Sequence, residues 1–268
     1  MIPELLKYDM GPGTVAFSTT RQGGVSRGAY ASLNVNAYCG DAPECVAQNR
    51  QALATELGIP VDHIIIPHQV HDTRCLLIDR EFFGLSLDDR QRQLEGIDAV
   101  MTQERGVCVG VSTADCIPVL LYDARCNAVA AVHAGWRGTQ KRIVEVAVRA
   151  MQKSFGTMPS DLRCVIGPGI GLQSFEVGQE VYDAFANAQF DMDSIAKKMP
   201  RMHDDDPEPM KWHIHLKLCN HNQLLSTGVR QENIFDCNID TYTDSSRFFS
   251  ARRLGIESGR IFTAIMLQ

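Results

Sequence analysis

The sequence predicts a mixed α/β (α+β) fold with three layers, in which helices cover both faces of a central mixed β-sheet. Two observations support this prediction: short apolar runs rich in Val, Ile and Ala recur along the chain, and amphipathic helical segments lie between them. Strands that are apolar on both sides need cover on both faces of their sheet. Strands also follow one another directly between residues 97 and 133, which adds hairpins and antiparallel pairing.

Nine segments are strand candidates because they are short, apolar and bounded by turn residues. They are residues 14–19, 63–67, 74–79, 98–102, 107–112, 118–122, 128–133, 162–166 and 260–267. The chain has no GxGxxG pattern, so a dinucleotide-binding Rossmann fold is not indicated.

Four segments repeat apolar residues at helical spacing, and they are residues 43–57, 139–155, 176–187 and 216–227. Gly58, Gly156 and Gly228 follow three of them, at the position where helices often end in a left-handed residue. Residues 200–211 are acidic and rich in proline, which predicts a surface loop. The segment after this loop is too short for a core of its own, so we expect one domain over residues 1–268.

Composition excludes several classes of protein. The chain has 268 residues, 44% of them hydrophobic, and a net charge of −6. With no basic run, it is not expected to bind nucleic acid, and no apolar run is long enough to span a membrane. The first residues lack the apolar core of a secretory signal. Nine cysteines without CxxC spacing are typical of reduced thiols, so we expect a cytoplasmic protein.

Cys116 lies beside Asp115 in a segment that joins two predicted strands. A cysteine at such a turn can act as a nucleophile or as a metal thiolate, and it can equally be a buried structural residue. His133 ends a predicted strand just before a helix start that contains Gly135 and Arg137. Free N–H groups at a helix start favour anions, although an ordinary strand-to-helix turn explains the same pattern.

His71 ends another predicted strand, and alternation places it on the same face as Gln69. A lone histidine there is more often structural than functional. His213 and His215 form a rival metal pair by spacing. We expect them to enter a helix, where residues two apart diverge, so this pair is the weaker candidate.

Taken together, these segments resemble the YfiH-like family, also called laccase-domain or peptidoglycan-editing proteins, which includes purine nucleoside phosphorylases. The resemblance covers nearly the whole chain and rests above all on the ordered pair TADC (113–116) and HAGWRG (133–138). The other matching segments are 17–26, 32–34, 40–41, 49–50, 69–71, 167–168, 175–178, 248–253 and 258–260. Two positions depart from the family pattern: Gly169 stands where many relatives have cysteine, and the motif at Cys237 lacks its second cysteine.

The resemblance implies a layered α/β/α domain similar to the catalytic fold of the cytotoxic-necrotizing-factor toxins. It also implies that His71, Cys116 and His133 converge as metal ligands. Two imidazoles and a thiolate suit zinc and leave a fourth position open, which is typical of a catalytic site. Copper is the alternative metal, because the divalent-metal affinity order allows it to occupy a zinc site.

The implied activity is phosphorolysis of purine nucleosides, namely inosine, guanosine, adenosine and 5′-methylthioadenosine, with adenosine deamination as a second reaction. A metal suits deamination because it can activate water. Phosphorolysis needs a phosphate site, for which guanidinium groups are well shaped. The site residues expected beside the metal ligands are Arg50, Arg137 and Arg252 for phosphate, Asn34, Gln69 and Thr113 for ribose or base, and Asp115 for proton transfer.

Three other functions remain open from the sequence. Cys116 can be the nucleophile of a cysteine hydrolase that edits peptidoglycan precursors. A copper-dependent polyphenol oxidase (laccase) would need many histidines, and only eight are present, several of them outside the matching motifs. A metal-binding protein without catalytic activity would close the site with a fourth protein ligand. The expected partners are a nucleoside and phosphate, and the sequence indicates no particular oligomeric state.

Overall fold

The computed structural model describes residues 2–202 and 208–268. The strands are β1 Leu5–Tyr8, β2 Thr14–Thr19, β3 Ile64–Ile65, β4 Cys75–Leu77, β5 Ala99–Thr102, β6 Cys108–Thr113, β7 Ile117–Asp123, β8 Ala128–Ala134, β9 Leu162–Ile166, β10 Glu176–Val177, β11 Ala196–Pro200, β12 Met210–Ile214, β13 Ile234–Asp236 and β14 Ile261–Leu267. The α-helices are α1 Pro43–Leu57, α2 Arg80–Gly84, α3 Leu87–Gln93, α4 Trp136–Gln140, α5 Ile143–Phe155, α6 Gln179–Asn187, α7 Met192–Ile195, α8 Leu216–Ser226 and α9 Ala251–Leu254. Short 3-10 helices lie at Gly28–Tyr30, Val61–His63, Pro159–Asp161 and Gln231–Asn233.

The strands of the described residues form sheets of five, six and three strands. The five-stranded sheet has the order β1-β2-β14-β6-β3, and the six-stranded sheet has the order β13-β9-β7-β8-β5-β4. Most neighbours are antiparallel, whereas β3–β6, β4–β5 and β9–β13 are parallel. The predicted mixed α+β fold is confirmed.

The two large sheets pack face to face, and helices cover their outer faces. In β7, Leu120 points into a core shared with Ile265 of the five-stranded sheet, while its neighbour Leu121 contacts the core beneath α5 and α8. On the far side, α1 places Leu53 against Phe262. The structure thus has two stacked sheets where the sequence predicts one central sheet. An apolar strand face is covered equally well by a second sheet or by helices, so the sequence pattern does not distinguish them.

Two predicted helices have different limits. The segment 139–155 is divided, because Arg142 adopts a left-handed conformation (φ 63°) between α4 and α5. The segment 176–187 begins as strand β10, since Glu176 and Val177 pair with His213 and Trp212 of β12. The helix itself starts only at residue 179.

The acidic segment 200–211 joins the antiparallel strands β11 and β12, in which residues 200 and 210 are partners. Its central residues, 203–207, lie outside the described part of the chain. His213 lies on β12 rather than in a helix and hydrogen-bonds the carbonyl of Leu172 (3.0 Å), while the His215 ring caps α8 by accepting from Leu218 N–H (3.2 Å). The two imidazoles therefore serve separate roles.

Among the described residues, no helix is long and apolar enough to cross a membrane. A single domain over residues 1–268 stays a prediction.

Candidate metal centre and substrate cavity

Two connections between strands and the end of a third strand bring His71, Cys116 and His133 together. Cys116 lies in the turn between β6 and β7, His133 near the end of β8, and His71 in the segment before β4. One ligand atom from each residue lies within 4.8 Å of the others, and Cys116 Sγ is 3.8 Å from His71 Nε2. The predicted convergence of these three side chains is therefore present.

Asp98, which is fully buried directly before β5, positions both histidines. Its Oδ1 accepts a hydrogen bond from the His71 N–H (2.9 Å) and lies 2.7 Å from His133 Nδ1. Its Oδ2 accepts from the N–H groups of Val70 and Asp72. These bonds hold His71 at a positive φ of 63°. They also leave the Nε2 of His133 as the free ring nitrogen, an arrangement frequent around metal-binding histidines.

The side chains of Cys116 and His133 hold opposite charges close together. Burial raises the pKa of the Cys116 thiol, but the charge of His133 and hydrogen bonds from both histidines outweigh burial and lower the pKa to about 6. Burial lowers the pKa of His133, yet Cys116 and Asp98 raise it to about 9. For Asp98, burial raises the pKa, and the His133 and amide hydrogen bonds bring it below its usual value. The thiolate form of Cys116 is thus favoured near neutral pH.

Gly135, directly after β8, leaves room for this cluster. A Cβ atom at this position would lie 2.7 Å from His71 Cδ2 and 3.0 Å from Cys116 Sγ. The cluster consists of two imidazoles, from the histidines that Asp98 positions, and one thiolate, and it packs against Gly135. This set of side chains fits a zinc or copper ion.

A cavity of about 230 Å³ opens over the three ligands. The Tyr38 and His68 rings form part of its wall and stack at 4.4 Å with an angle of 15° between their planes. Gln91 donates to the Tyr38 hydroxyl (2.7 Å), and Glu95 lies 2.6 Å from His68 Nδ1. The two rings are therefore fixed by hydrogen bonds outside the cavity.

Two hydroxyl residues at the end of β6 line the same cavity. Ser112 and Thr113 are buried, and in the described part of the chain neither hydroxyl has a hydrogen-bond partner. The Gln69 side chain, also in the cavity wall, exchanges two hydrogen bonds with the Ser112 backbone (2.7 and 2.8 Å). Buried polar groups are usually paired, so the two free hydroxyls indicate a place for a ligand. We call His71, Cys116, His133 and Asp98 the floor of the cavity, and Tyr38, His68, Ser112 and Arg260 its rim.

The predicted phosphate-binding arginines lie outside the residues that line this cavity. Arg50 borders a separate cavity beside α1 and donates to the Ile64 carbonyl (3.0 Å). Arg137 is exposed, with its guanidinium over the Trp136 ring at 4.3 Å. Arg252 donates to the Glu176 carbonyl (3.0 Å). Their assignment to phosphate stays a prediction without geometric support.

Asn34 and Asp115 also have other partners. Asn34 is fully buried, and its side chain bonds Asp41 Oδ2 (2.9 Å) and the Arg260 N–H (3.1 Å), which fixes the loop behind the rim. Asp115 accepts from the Thr241 hydroxyl and the Arg252 N–H, both at 2.7 Å. Both carboxylate oxygens of Asp115 are thus engaged in positioning, and its proposed proton transfer stays a prediction. Gln69 and Thr113, in contrast, line the cavity as expected of substrate-binding residues.

Five residues of the floor and rim were not predicted: Asp98, Tyr38, His68, Ser112 and Arg260. An acid at the start of an otherwise apolar strand was the available signal for Asp98, since such a buried carboxylate needs partners. Arg260 belongs to a matched motif, but nothing in the sequence distinguishes it from the other arginines. Tyr38 lies in a loop without periodicity.

The family model for "multi-copper polyphenol oxidoreductase laccase" matches residues 15–268. The chain belongs to this family. It is the laccase-domain, YfiH-like family that the sequence motifs indicate.

Two curated relatives are similar over most of their length. A purine nucleoside phosphorylase from Bacteroides thetaiotaomicron is 46% identical over 251 residues, which cover 94% of this chain and 90% of the relative. Adenosine deaminase RL5, from an unknown prokaryotic organism, is 39% identical over 98% of both chains. Among solved structures, the hypothetical protein YfiH of Bacillus licheniformis superposes with a TM-score of 0.87 at 26% identity, covering 99% of this chain and 97% of that one.

Proposed function

We propose that this laccase-domain protein is a zinc-dependent purine nucleoside phosphorylase. Its substrates would be inosine, guanosine, adenosine and 5′-methylthioadenosine, with adenosine deamination as a second reaction. The observation that carries the proposal is the cluster of His71, Cys116 and His133, which opens into a cavity with a stacked aromatic wall. The names of the two curated relatives support the same pair of reactions.

The chain's own residues would bind and orient the nucleoside. The stacked rings of Tyr38 and His68 offer an aromatic surface to a purine base. The hydroxyl of Thr113 is free to donate to a ligand oxygen, while Gln69 holds the backbone beside it. In phosphorolysis a phosphate oxygen bonds C1′ as the C1′–N9 bond breaks, and the electron pair leaves with the base, which takes up a proton.

His71, Cys116 and His133 would hold the metal, and Asp98 would orient both histidines. A metal held there would supply Lewis-acid chemistry, and zinc suits the donor set best, with copper as the alternative. In the described residues all nine cysteines are free thiols, which supports a reducing, cytoplasmic location for the protein.

The test is incubation of the zinc-loaded protein with inosine, with and without phosphate, followed by chromatography of hypoxanthine and ribose 1-phosphate. We expect release of both products only when phosphate is present, and loss of this release in the variant His71→Ala. His221→Ala is the matched control, because His221 is a half-buried histidine of α8 that bonds Gln231 (3.0 Å) and lies outside the cavity lining. No release from any of the four nucleosides would overturn the proposal.

A cysteine hydrolase acting on peptidoglycan precursors is the second candidate. It is favoured by the Cys116 thiol, whose pKa is lowered to about 6, with His71 Nε2 only 3.8 Å away. Intact-mass spectrometry after incubation with a muropeptide substrate distinguishes the two functions. A covalent acyl adduct on Cys116 supports the hydrolase, whereas one bound zinc per chain without an adduct supports the metal enzyme. Enzyme-like oxidation of phenols by the fully copper-loaded protein would instead support a laccase.

A further inference from the structure

Arg260, immediately before β14, is the one arginine or lysine among the described residues that line the cavity. We propose that the Arg260 guanidinium and the Ser112 hydroxyl form the subsite that binds phosphate. This inference rests on the proposed phosphorolysis, because that reaction requires phosphate beside the nucleoside.

The guanidinium of Arg260 is held rigidly by backbone carbonyls. Its Nη1 donates to the carbonyls of Ser258 (2.5 Å) and Gly259 (3.1 Å), and its Nη2 donates to that of Ile256 (2.9 Å). Three of the five N–H groups are thus used, and one on Nε and one on Nη2 remain for a ligand. A rigid group of this kind loses little conformational entropy when it binds an anion.

The charge of Arg260 is also not neutralised. Its three partners are neutral carbonyls, and within residues 2–202 and 208–268 it forms no ion pair with a carboxylate. A planar cation with free N–H groups favours a phosphate, which accepts charge-assisted hydrogen bonds from such a donor.

The strand register places Ser112 close to Arg260. In the antiparallel ladder of β6 and β14, Ile261 lies opposite Thr113 and Phe262 opposite Ser112. Arg260 directly precedes the first residue of this ladder, and Arg260 and Ser112 both line the cavity. Because both side chains line the same small cavity, one phosphate ion bound there can contact both groups.

The Ser112 hydroxyl supplies an independent reason for a ligand. It is buried in the cavity wall and has no partner in the described part of the chain. A buried hydroxyl without a partner is unfavourable unless a ligand or water pairs with it. A phosphate oxygen is a strong acceptor for its proton.

The first test is the kinetics of inosine phosphorolysis by zinc-loaded Arg260→Gln and Ser112→Ala. For Arg260→Gln we expect the KM for phosphate to rise at least about tenfold, since a charge-assisted contact is lost. For Ser112→Ala a rise of about fivefold is expected for one neutral hydrogen bond. The KM for inosine and the bound zinc should stay within about twofold of the wild type in both variants.

Two further variants sharpen this test. Arg260→Lys keeps the charge but not the planar fork, so its KM for phosphate should lie between those of the wild type and Arg260→Gln. Arg149→Gln is the matched control, because Arg149 is exposed on α5 and pairs with Glu145 outside the cavity lining. Ser112→Ala removes a hydroxyl that has no protein partner, so this variant should fold. It therefore still tests the phosphate subsite if Arg260→Gln does not fold.

Calorimetric titration of inorganic phosphate into the zinc-loaded proteins separates this subsite from the proposed function. Phosphorolysis by the wild type with an unchanged phosphate KM in both Arg260→Gln and Ser112→Ala would overturn the subsite and leave the function standing. Phosphate binding that Arg260→Gln abolishes, in a wild type that does not phosphorolyse nucleosides, would support the subsite and overturn the function. Absence of phosphate binding and of phosphorolysis in the wild type would overturn both.

Discussion

The floor and the rim of the cavity differ in how their polar groups are satisfied. On the floor, Asp98 hydrogen-bonds to the His133 ring and to the backbone around His71, so the positions of both histidines are fixed. On the rim, Ser112 keeps an unpaired hydroxyl and Arg260 keeps free N–H groups. Because its supporting hydrogen bonds are already formed, the floor suits an ion that stays bound. The rim has unpaired hydrogen-bond donors and therefore suits ligands that bind and dissociate.

This difference can be tested, because substitutions on the floor and on the rim should affect different properties of the protein. Changes on the floor should alter metal affinity and stability together, because the same carboxylate supports the ligands and pairs buried amides. Changes on the rim should alter the KM of one substrate and leave the metal in place.

The largest effect is expected for Asp98→Asn. The amide cannot accept four hydrogen bonds from N–H groups, since its own NH2 would face donors. Zinc affinity should fall about 10- to 100-fold, and the free energy of unfolding should fall by about 2–4 kcal/mol. Competition with a zinc chelator and thermal unfolding of the metal-loaded protein measure the two losses.

Asp123→Asn is the matched control for this prediction. Asp123 is also fully buried in the six-stranded sheet, and it accepts from the N–H groups of Arg125 and Cys126. Its replacement should lower stability but leave zinc affinity within about twofold of the wild type, because it pairs no metal ligand. Equal losses of zinc affinity in both variants would contradict a specific role for Asp98.

The second prediction concerns the pH dependence of Cys116 alkylation in the chelator-treated protein. Because its pKa is lowered to about 6, mainly by His133 against the effect of burial, the thiolate predominates above that pH. The rate with iodoacetamide should therefore rise with pH, reach half its maximum near pH 6 and level off above it. Peptide mass spectrometry of the Cys116 peptide measures the rate.

Two controls test the cause of this shift. In His133→Ala the charge that lowers the pKa is absent, so the half-maximal rate should move to a higher pH. Zinc loading of the wild type should protect Cys116, because the thiolate would then be a ligand. A wild-type midpoint near that of an ordinary thiol, about pH 8.5, would contradict the floor geometry.

The fold was predictable where periodicity is strong and the contacts are local. The helical spacing in residues 43–57 and the glycine after it predict α1, and the structure places Gly58 in the left-handed conformation (φ 68°). The stacking of the two sheets was not predictable, because Leu120 and Leu121 are equally apolar, and only the tertiary structure decides which of them faces a sheet. Strand β10 depends on pairing with distant β12, which no local pattern indicates.

For the site, the motifs predicted that His71, Cys116 and His133 converge, but they did not predict the rim. Cys116 lies in the short turn between β6 and β7, His133 near the end of β8 and His71 in the connection before β4. The matched motifs include all three positions. Which arginine reaches the cavity depends instead on where each flexible side chain finds partners. Arg137 contacts Trp136 outside the cavity lining, whereas Arg260 is held there by carbonyls of its own loop.

The smallest of these effects is expected for Tyr38→Ala, and it tests the rim most directly. Removing this ring takes away a stacking surface worth about 1–3 kcal/mol to a base, so the KM for inosine should rise about tenfold. Zinc content and the KM for phosphate should stay within about twofold of the wild type, because Tyr38 contacts neither the floor nor Arg260 in the proposed arrangement. Tyr38→Phe keeps the ring and loses only the hydrogen bond from Gln91, so its KM for inosine should change less than about threefold. A large loss of zinc in Tyr38→Ala would show instead that floor and rim are coupled, and the division between a fixed ion and exchanging ligands would fail.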